Sequence, residues 1–188
     1  MDEMLAFLSS FHPLSAGCLA YLRMVTKSKR VFKNDVLVEI GEINCNLYFI
    51  KAGALHCYYY FKDRPISDWF YLENETVVSS GSFCDQVPSK DCMVALEDSE
   101  LFYITSQEYD YLNRNFLEFN CVARLVMEKY LKAFRAHIRF IRKYQAVDRY
   151  HLILSKMPEL VQRVPVAPLA SWLNMEPETL SRMRGRRE

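Results

Sequence analysis

The 188-residue sequence has no apolar run long enough to cross a membrane. Runs such as residues 47–50 and 69–72 are far shorter than the ~20 residues that a spanning helix needs. Residues 1–5 are acidic, whereas a secretory signal begins with basic residues and leads to a small-residue cleavage site. We therefore expect a cytoplasmic protein with no membrane partner.

Patterns for metal, redox or enzymatic chemistry are also missing. The six cysteines are scattered without a Cys-x-x-Cys pair, and an iron–sulfur cluster needs about four thiolates brought together. Of the four histidines, only His56 falls among the predicted strands, whereas a cupin-like oxygenase needs two or three plus a carboxylate. No P-loop, Gly-rich fingerprint or Ser/His/Asp motif is present. The sequence predicts no metal, no cofactor and no enzyme, with a cupin-like metal enzyme as the alternative.

Charge is present but unevenly distributed. The net charge is +1, yet residues 1–110 carry 9 Lys and Arg against 16 Asp and Glu, while residues 111–188 carry 15 against 7. An acidic body with a basic C-terminal part is typical of a nucleic-acid-binding protein. A solvated charged helix gives the same distribution, so the motifs must decide between the two interpretations.

Hydrophobic periodicity divides the chain into three regions. Residues 1–27 have helical spacing broken at His12 and Pro13, and residues 29–104 contain roughly eight short strands separated by turns. Helical spacing returns at Ser106. We predict an α+β fold: an antiparallel β-roll (a double-stranded β-helix, or jelly roll) in residues 1–114, a dimerisation helix in residues 115–143 and a DNA-binding domain in residues 144–188.

The predicted long helix, residues 115–143, contains neither Gly nor Pro and carries two apolar stripes. One stripe can pack on the roll while the other meets the same helix of a second copy. A single helix lying wholly on its own domain is the alternative. The residues predicted to form the homodimer interface are Met127, Leu131, Phe134, Ile138 and Ile141.

Residues 169–184 have the pattern of a helix-turn-helix. Asn174 falls at the turn, where the backbone must be left-handed and Asn tolerates that conformation. Pro177 suits the first position of the second helix because the N–H that it lacks would be unpaired there. Ala170 has a small side chain, which allows the second helix to cross the first closely. The shared core is predicted to contain Leu169, Leu173, Met175, Leu180 and Met183.

The exposed face of the second helix is polar and basic. Arg182 can hydrogen-bond a guanine edge and Glu178 can accept from a cytosine amino group, so the two are predicted to read adjacent base pairs. Hydroxyl groups and further arginines suit phosphate oxygens. The predicted DNA-binding residues are Glu178, Thr179, Ser181, Arg182, Arg184, Arg186 and Arg187.

Residues 38–53, with their two turn glycines, and residues 95–101 resemble the first and last strands of the cyclic-nucleotide-binding roll. Residues 168–184 are similar to the helix-turn-helix of CRP/FNR transcription regulators, including the face of Glu178, Thr179 and Arg182. The resemblance covers nearly the whole chain. It implies a regulator whose partners are double-stranded DNA, a second copy, RNA polymerase and a small-molecule effector.

One departure from the family concerns the phosphate-binding cassette that the resemblance places at residues 79–91. Ser82 stands where the family has Glu, Ser89 and Lys90 replace Arg-Ser, and no arginine lies between Arg64 and Arg114. Lys cannot reproduce the bidentate fork of Arg on a phosphate. We therefore expect no cyclic-nucleotide binding, and a pocket for an unidentified ligand formed by Gly81, Ser82, Phe83, Ser89 and Lys90.

A second departure is at the C-terminus. The chain ends four residues after Arg184, so we expect the β-hairpin wing found in many relatives to be absent. A third interpretation keeps the fold without DNA binding and makes the protein a ligand-binding or partner-binding β-roll dimer.

Overall fold

The computed structural model describes residues 1–185, in which two four-stranded antiparallel sheets face each other and form the predicted roll. The strand orders are β1-β8-β3-β6 and β2-β7-β4-β5. The prediction of roughly eight strands in an α+β fold is confirmed. The strands are β1 (Lys27–Val31), β2 (Val36–Val38), β3 (Asn46–Ala52), β4 (Leu55–Phe61), β5 (Arg64–Tyr71), β6 (Thr76–Val77), β7 (Cys92–Ala95) and β8 (Ser99–Thr105).

Turn residues set the register of the strands. Lys62 and Asp63 both have positive φ, 49° and 60°, as a two-residue hairpin between β4 and β5 requires. Gly41 and Gly53 have φ of 91° and 105°, which confirms their expected place in turns. The roll closes on a core between the sheets that includes Ile50, Leu55 and Leu101, each at most 1% exposed.

The N-terminal helices α1 (Asp2–Phe11) and α2 (Ala16–Val25) are separated at His12 and Pro13, as predicted. A capping box opens α4 (Ser106–Asn115): the Thr105 hydroxyl accepts from the Glu108 backbone N–H, and the Glu108 carboxylate accepts from the Thr105 N–H at 2.7 Å. The predicted helix of residues 115–143 is α5 (Leu117–Lys143). None of the described helices is long and apolar enough to span a membrane.

Four helices follow α5: α6 (Ala146–Lys156), α7 (Pro158–Arg163), α8 (Val166–Trp172) and α9 (Pro177–Gly185). Neither α7 nor the six-residue α3 (Ser80–Asp85) was predicted, because fewer than two helical turns show no periodicity. The last four helices share a second core that also contacts the outer face of β5 through Phe70.

Candidate nucleic-acid interface and roll cavity

The turn between α8 and α9 has the conformation that the sequence predicts. Asn174 is left-handed, with φ of 52°, and its N–H donates to the Ser171 carbonyl at 2.9 Å. The Met175 N–H donates to the Ala170 carbonyl at 3.0 Å. The buried guanidinium of Arg149 donates to the Asn174 carbonyl at 3.1 Å. These bonds fix the angle at which α9 leaves α8.

The predicted core of the two helices is present. Leu169, Ala170, Leu173 and Leu180 are each 0% exposed, while Met175 and Met183 are partly buried against them. Because Ala170 has only a methyl group, the two helices approach closely there. Pro177 is the first residue of α9, as expected. This core orients α9 so that its opposite face meets solvent.

The solvent face of α9 carries most of the predicted DNA-binding residues. Glu178, Ser181 and Arg182 are exposed and Thr179 is partly so. The Arg182 guanidinium makes one long bond, from Nε to the Glu178 carbonyl at 3.4 Å. Arg186 and Arg187 lie outside the described residues.

Arg184 takes a position that differs from the expected one. Its guanidinium donates to the carbonyls of Val161 and Val164, at 2.7 and 3.1 Å, and so satisfies carbonyls at the end of α7. In this arrangement Arg184 joins α9 to α7 instead of facing solvent with Arg182. Sequence spacing placed it on the polar face because α7 was not predicted.

The helix-turn-helix packs against the outer face of β5. The Ser67 backbone N–H donates to Ser171 Oγ at 2.9 Å. The Trp172 ring stacks on His137 of α5 at 4.3 Å and meets Phe70 edge to face at 5.8 Å. His56 lies on the same outer face, where Nε2 contacts Ser67 Oγ at 2.9 Å and burial lowers its pKa to about 4. His56 therefore faces α8, away from the roll interior.

An ion-pair network joins α7 to the roll. Arg163 binds Glu73 with two nitrogens, both at 2.8 Å, and Glu97 at 2.6 Å. Glu73 also accepts from the Gly53 N–H at 2.8 Å. The Arg163 hydrogen bonds hold the pKa of Glu73 at about 2, against an ordinary 4.5. No local sequence signal identifies this network, because Arg163 lies 66 residues from Glu97 and 90 from Glu73.

The Glu73 pairing predicts a pH-dependent stability difference. We expect Glu73→Gln to lower the free energy of unfolding by ~1–2 kcal/mol at pH 7, a value reduced because solvent screens the partly exposed carboxylate. A lowered folded-state pKa stabilises above the unfolded value, so the difference should shrink as pH falls from 4.5 towards about 2. Urea unfolding across this range measures it, with exposed Glu39→Gln as the control. A difference independent of pH would contradict the assignment.

A cavity of about 400 Å³ lies between the roll interior and α5. Its lining is mostly apolar and aromatic, and includes Tyr71, Met93, Tyr103, Tyr130 and Phe134. Met127 and Leu131, which also line it, are 62% and 58% exposed, so the cavity opens beside the solvent face of α5.

Of the five residues predicted to form a pocket, the structure brings only Phe83 to the cavity. Ser82 Oγ donates to the Val87 carbonyl at 2.6 Å and accepts from the Asn44 N–H at 2.8 Å. Ser89 Oγ bonds Ser79 Oγ and the Asp91 carbonyl, each at 2.7 Å. These hydroxyls therefore bond within residues 79–91 and, through Asn44, to the β2–β3 connection. The other two, Gly81 and Lys90, are exposed outside the cavity.

The predicted dimer stripe of α5 has mixed exposure. Met127, Leu131 and Ile138 are 62%, 58% and 50% exposed, while Phe134 and Ile141 are partly buried. A neighbouring side of α5 packs on the roll, where the Tyr130 hydroxyl donates to the Thr76 carbonyl at 2.7 Å. Within residues 1–185, no three His, Cys, Asp or Glu side chains form a group that could hold a metal ion.

Comparison with known proteins supports the architecture. No protein-family model matches the sequence, and no curated protein matches it. FixK2 from Bradyrhizobium japonicum is 16% identical, with 86% of this chain and 84% of that chain covered and a TM-score of 0.68. The c-di-GMP-responsive global regulator CLP of Xanthomonas campestris is 18% identical, with 92% and 91% covered and a TM-score of 0.71.

A putative transcriptional regulator of the CRP/FNR family from Eubacterium rectale is 14% identical, with 95% of this chain and 85% of that chain covered and a TM-score of 0.71. At these identities the similarity concerns the fold, and it extends over the roll, the long helix and the C-terminal helices together. The chain therefore shares its fold with these three solved structures.

Proposed function

We propose that this chain is a cytoplasmic, homodimeric transcription regulator that binds an inverted-repeat DNA site through α9. The observation that carries the proposal is the left-handed Asn174 turn, which leaves the face of Glu178, Ser181 and Arg182 in solvent. A helix with such a face is suited to the major groove. RNA polymerase remains a predicted further partner, and no enzymatic role is proposed.

The dimer follows from the solvent face of α5. Met127, Leu131 and Ile138 are large apolar side chains at least half exposed, and they recur along one side of a 27-residue helix. Pairing with α5 of a second copy would bury this stripe and cover the mouth of the cavity. Two-fold symmetry then requires half-sites about one helical turn of DNA, or a multiple, apart.

The proposed effector is a small molecule other than a cyclic nucleotide. Among the described residues that line the cavity there is no Lys, Arg or His. A buried phosphate without a cationic partner is strongly disfavoured. Ser82 and Ser89, which occupy the cassette, already bond within their own loop. Calorimetric titration with cyclic AMP and cyclic GMP should detect no micromolar binding.

Selection from random duplexes tests the DNA-binding proposal, and we expect an inverted repeat. Arg182→Ala should cost ~1–3 kcal/mol and relax the preference at one base pair of each half-site. Arg186→Ala, a charge-matched control, should weaken binding to all sequences and flatten the salt dependence by about one unit of slope. If no repeat is selected, or if the two variants behave alike, α9 does not read bases. A ligand-binding or partner-binding dimer would then be the better interpretation.

A further inference from the structure

Two carboxylates, those of Asp68 and Asp91, are among the groups that line the mostly apolar cavity. Asp68 is the extra residue of a β-bulge in β5, between Trp69, which pairs with Cys57, and Ser67, which pairs with Tyr58. Asp91 immediately precedes β7, whose first residue also pairs with Tyr58. The two residues therefore lie on either side of β4, with their backbones two strand spacings or about 10 Å apart along the sheet. Both line the cavity, with Cys57 between them.

Neither carboxylate has a partner among the described residues: no ion pair or side-chain hydrogen bond reaches Asp68 or the Asp91 carboxyl group. Burial, followed by the charge of Asp91, raises the pKa of Asp68. Burial also raises the pKa of Asp91, and the neighbouring exposed Lys90 offsets part of that rise. Asp68 is exposed and Asp91 is partly exposed, and both border the cavity.

The thiol of Cys57 also lies at this end of the cavity. Cys57 is 5% exposed, lines the cavity between the carboxylates and has no hydrogen-bond partner among the described residues. A buried free Cys packs as a small hydrophobic residue with only a weak donor, so the polar character of this end of the cavity comes from the two carboxylates. A ligand group with several hydrogen-bond donors would pair with them.

The rest of the cavity suits an apolar body. Tyr71 and Tyr130 meet edge to face at 5.9 Å, and Phe83 contacts Tyr109 at 5.4 Å. Aromatic faces attract cations as well as apolar groups. A volume of about 400 Å³ lies within the usual range of small-molecule sites.

We propose that the roll cavity binds an amphipathic primary amine, with its ammonium group between Asp68 and Asp91 and its apolar body among the aromatic rings. An ammonium carries three donors and a positive charge, which together meet two unpaired carboxylates. An anion of the same shape would be repelled. This inference rests on the proposed function only where it identifies the ligand as the effector. The binding itself can be measured without DNA.

The test compares three probes that share one skeleton: 4-phenylbutylamine, 4-phenylbutanol and 4-phenylbutyrate. Calorimetry on the full chain should show that 4-phenylbutylamine binds at least about tenfold more tightly than 4-phenylbutanol. Binding of 4-phenylbutyrate should not be detectable. Asp68→Asn and Asp91→Asn should each bring the amine-to-alcohol affinity ratio close to about one, while alcohol affinity changes little. Asp63→Asn, in the exposed β4–β5 turn, is the matched control and should keep the wild-type ratio.

Thermal unfolding verifies that each variant is folded before titration. The proposal is overturned if 4-phenylbutyrate or 4-phenylbutanol binds the wild type as tightly as 4-phenylbutylamine does. It is also overturned if no probe binds at millimolar concentration. It is equally overturned if folded Asp68→Asn and Asp91→Asn both keep the wild-type ratio. Failure of the DNA selection alone would reject the proposed function and leave this binding result unaffected.

Discussion

Replacing Gly53 with alanine is expected to lower the free energy of unfolding by about 3 kcal/mol or more, since overpacking adds to an unfavourable backbone conformation. The new Cβ would lie 2.0 Å from Ser99 Oγ and 2.8 Å from Ser99 Cα, which belongs to the backbone of β8. Gly53 also has φ of 105°, where an L side chain is strained. Because the turn joins β3 to β4, one in each sheet, we expect the whole roll to lose stability in urea unfolding.

Two other glycines are matched controls for this prediction. Gly41 has φ of 91°, but a Cβ added there would meet nothing within 4 Å, so Gly41→Ala carries backbone strain alone. That strain should cost ~1–2 kcal/mol. Gly81 lies in α3 with open space around it, so Gly81→Ala should be neutral or stabilising by up to ~1 kcal/mol. Equal losses at Gly53 and Gly41 would show that the contact with Ser99 is not the cause.

Ile138→Glu is expected to convert a dimer into a monomer and to weaken binding to the full inverted repeat by at least about 100-fold, since bivalent binding is lost. Ile138 is 50% exposed on α5 and does not line the cavity. Burying an unpaired carboxylate from each copy in the proposed seam is strongly unfavourable. Light scattering measures the dimer, and gel shifts on full and half sites measure the DNA affinity.

The neighbouring residue supplies the control. Arg139 is exposed and adjacent in sequence, so Arg139→Glu changes the charge by two units outside the predicted stripe. It should leave the protein dimeric. A wild type that is monomeric at micromolar concentration, or an Ile138→Glu variant that remains dimeric, would mean that this stripe of α5 is not the seam.

The helix-turn-helix could be predicted closely because its requirements are local. A left-handed turn, a proline at the start of a helix and a small residue at a close crossing each select a residue type within a few positions. The structure has Asn174, Pro177 and Ala170 in those places. The strands were predictable for a similar reason, since alternation and turn residues are visible over short windows.

The residues that line the cavity could not be predicted in the same way. The cassette serines look available in the sequence, but their hydroxyls bond within a loop whose path depends on α3 and the β2–β3 connection. Asp68 faces the cavity because of a bulge, and a shift of one residue in register moves a side chain to the other face of a strand. A bulge of this kind cannot be recognised from the alternation of apolar and polar residues in the sequence.

The bulge in β5 also has a thermodynamic consequence. Asp68 lines the cavity, and the next residue back, Ser67, donates its N–H to Ser171 of α8. Two consecutive residues of β5 thus contribute, Asp68 to the cavity and Ser67 to the contact that holds the helix-turn-helix on the roll. If a ligand shifts this segment, linkage makes the effect reciprocal. A ligand that binds tenfold more tightly when α8 is packed on β5 must stabilise that packing by about 1.4 kcal/mol, and DNA that releases α8 must weaken the ligand by the same factor.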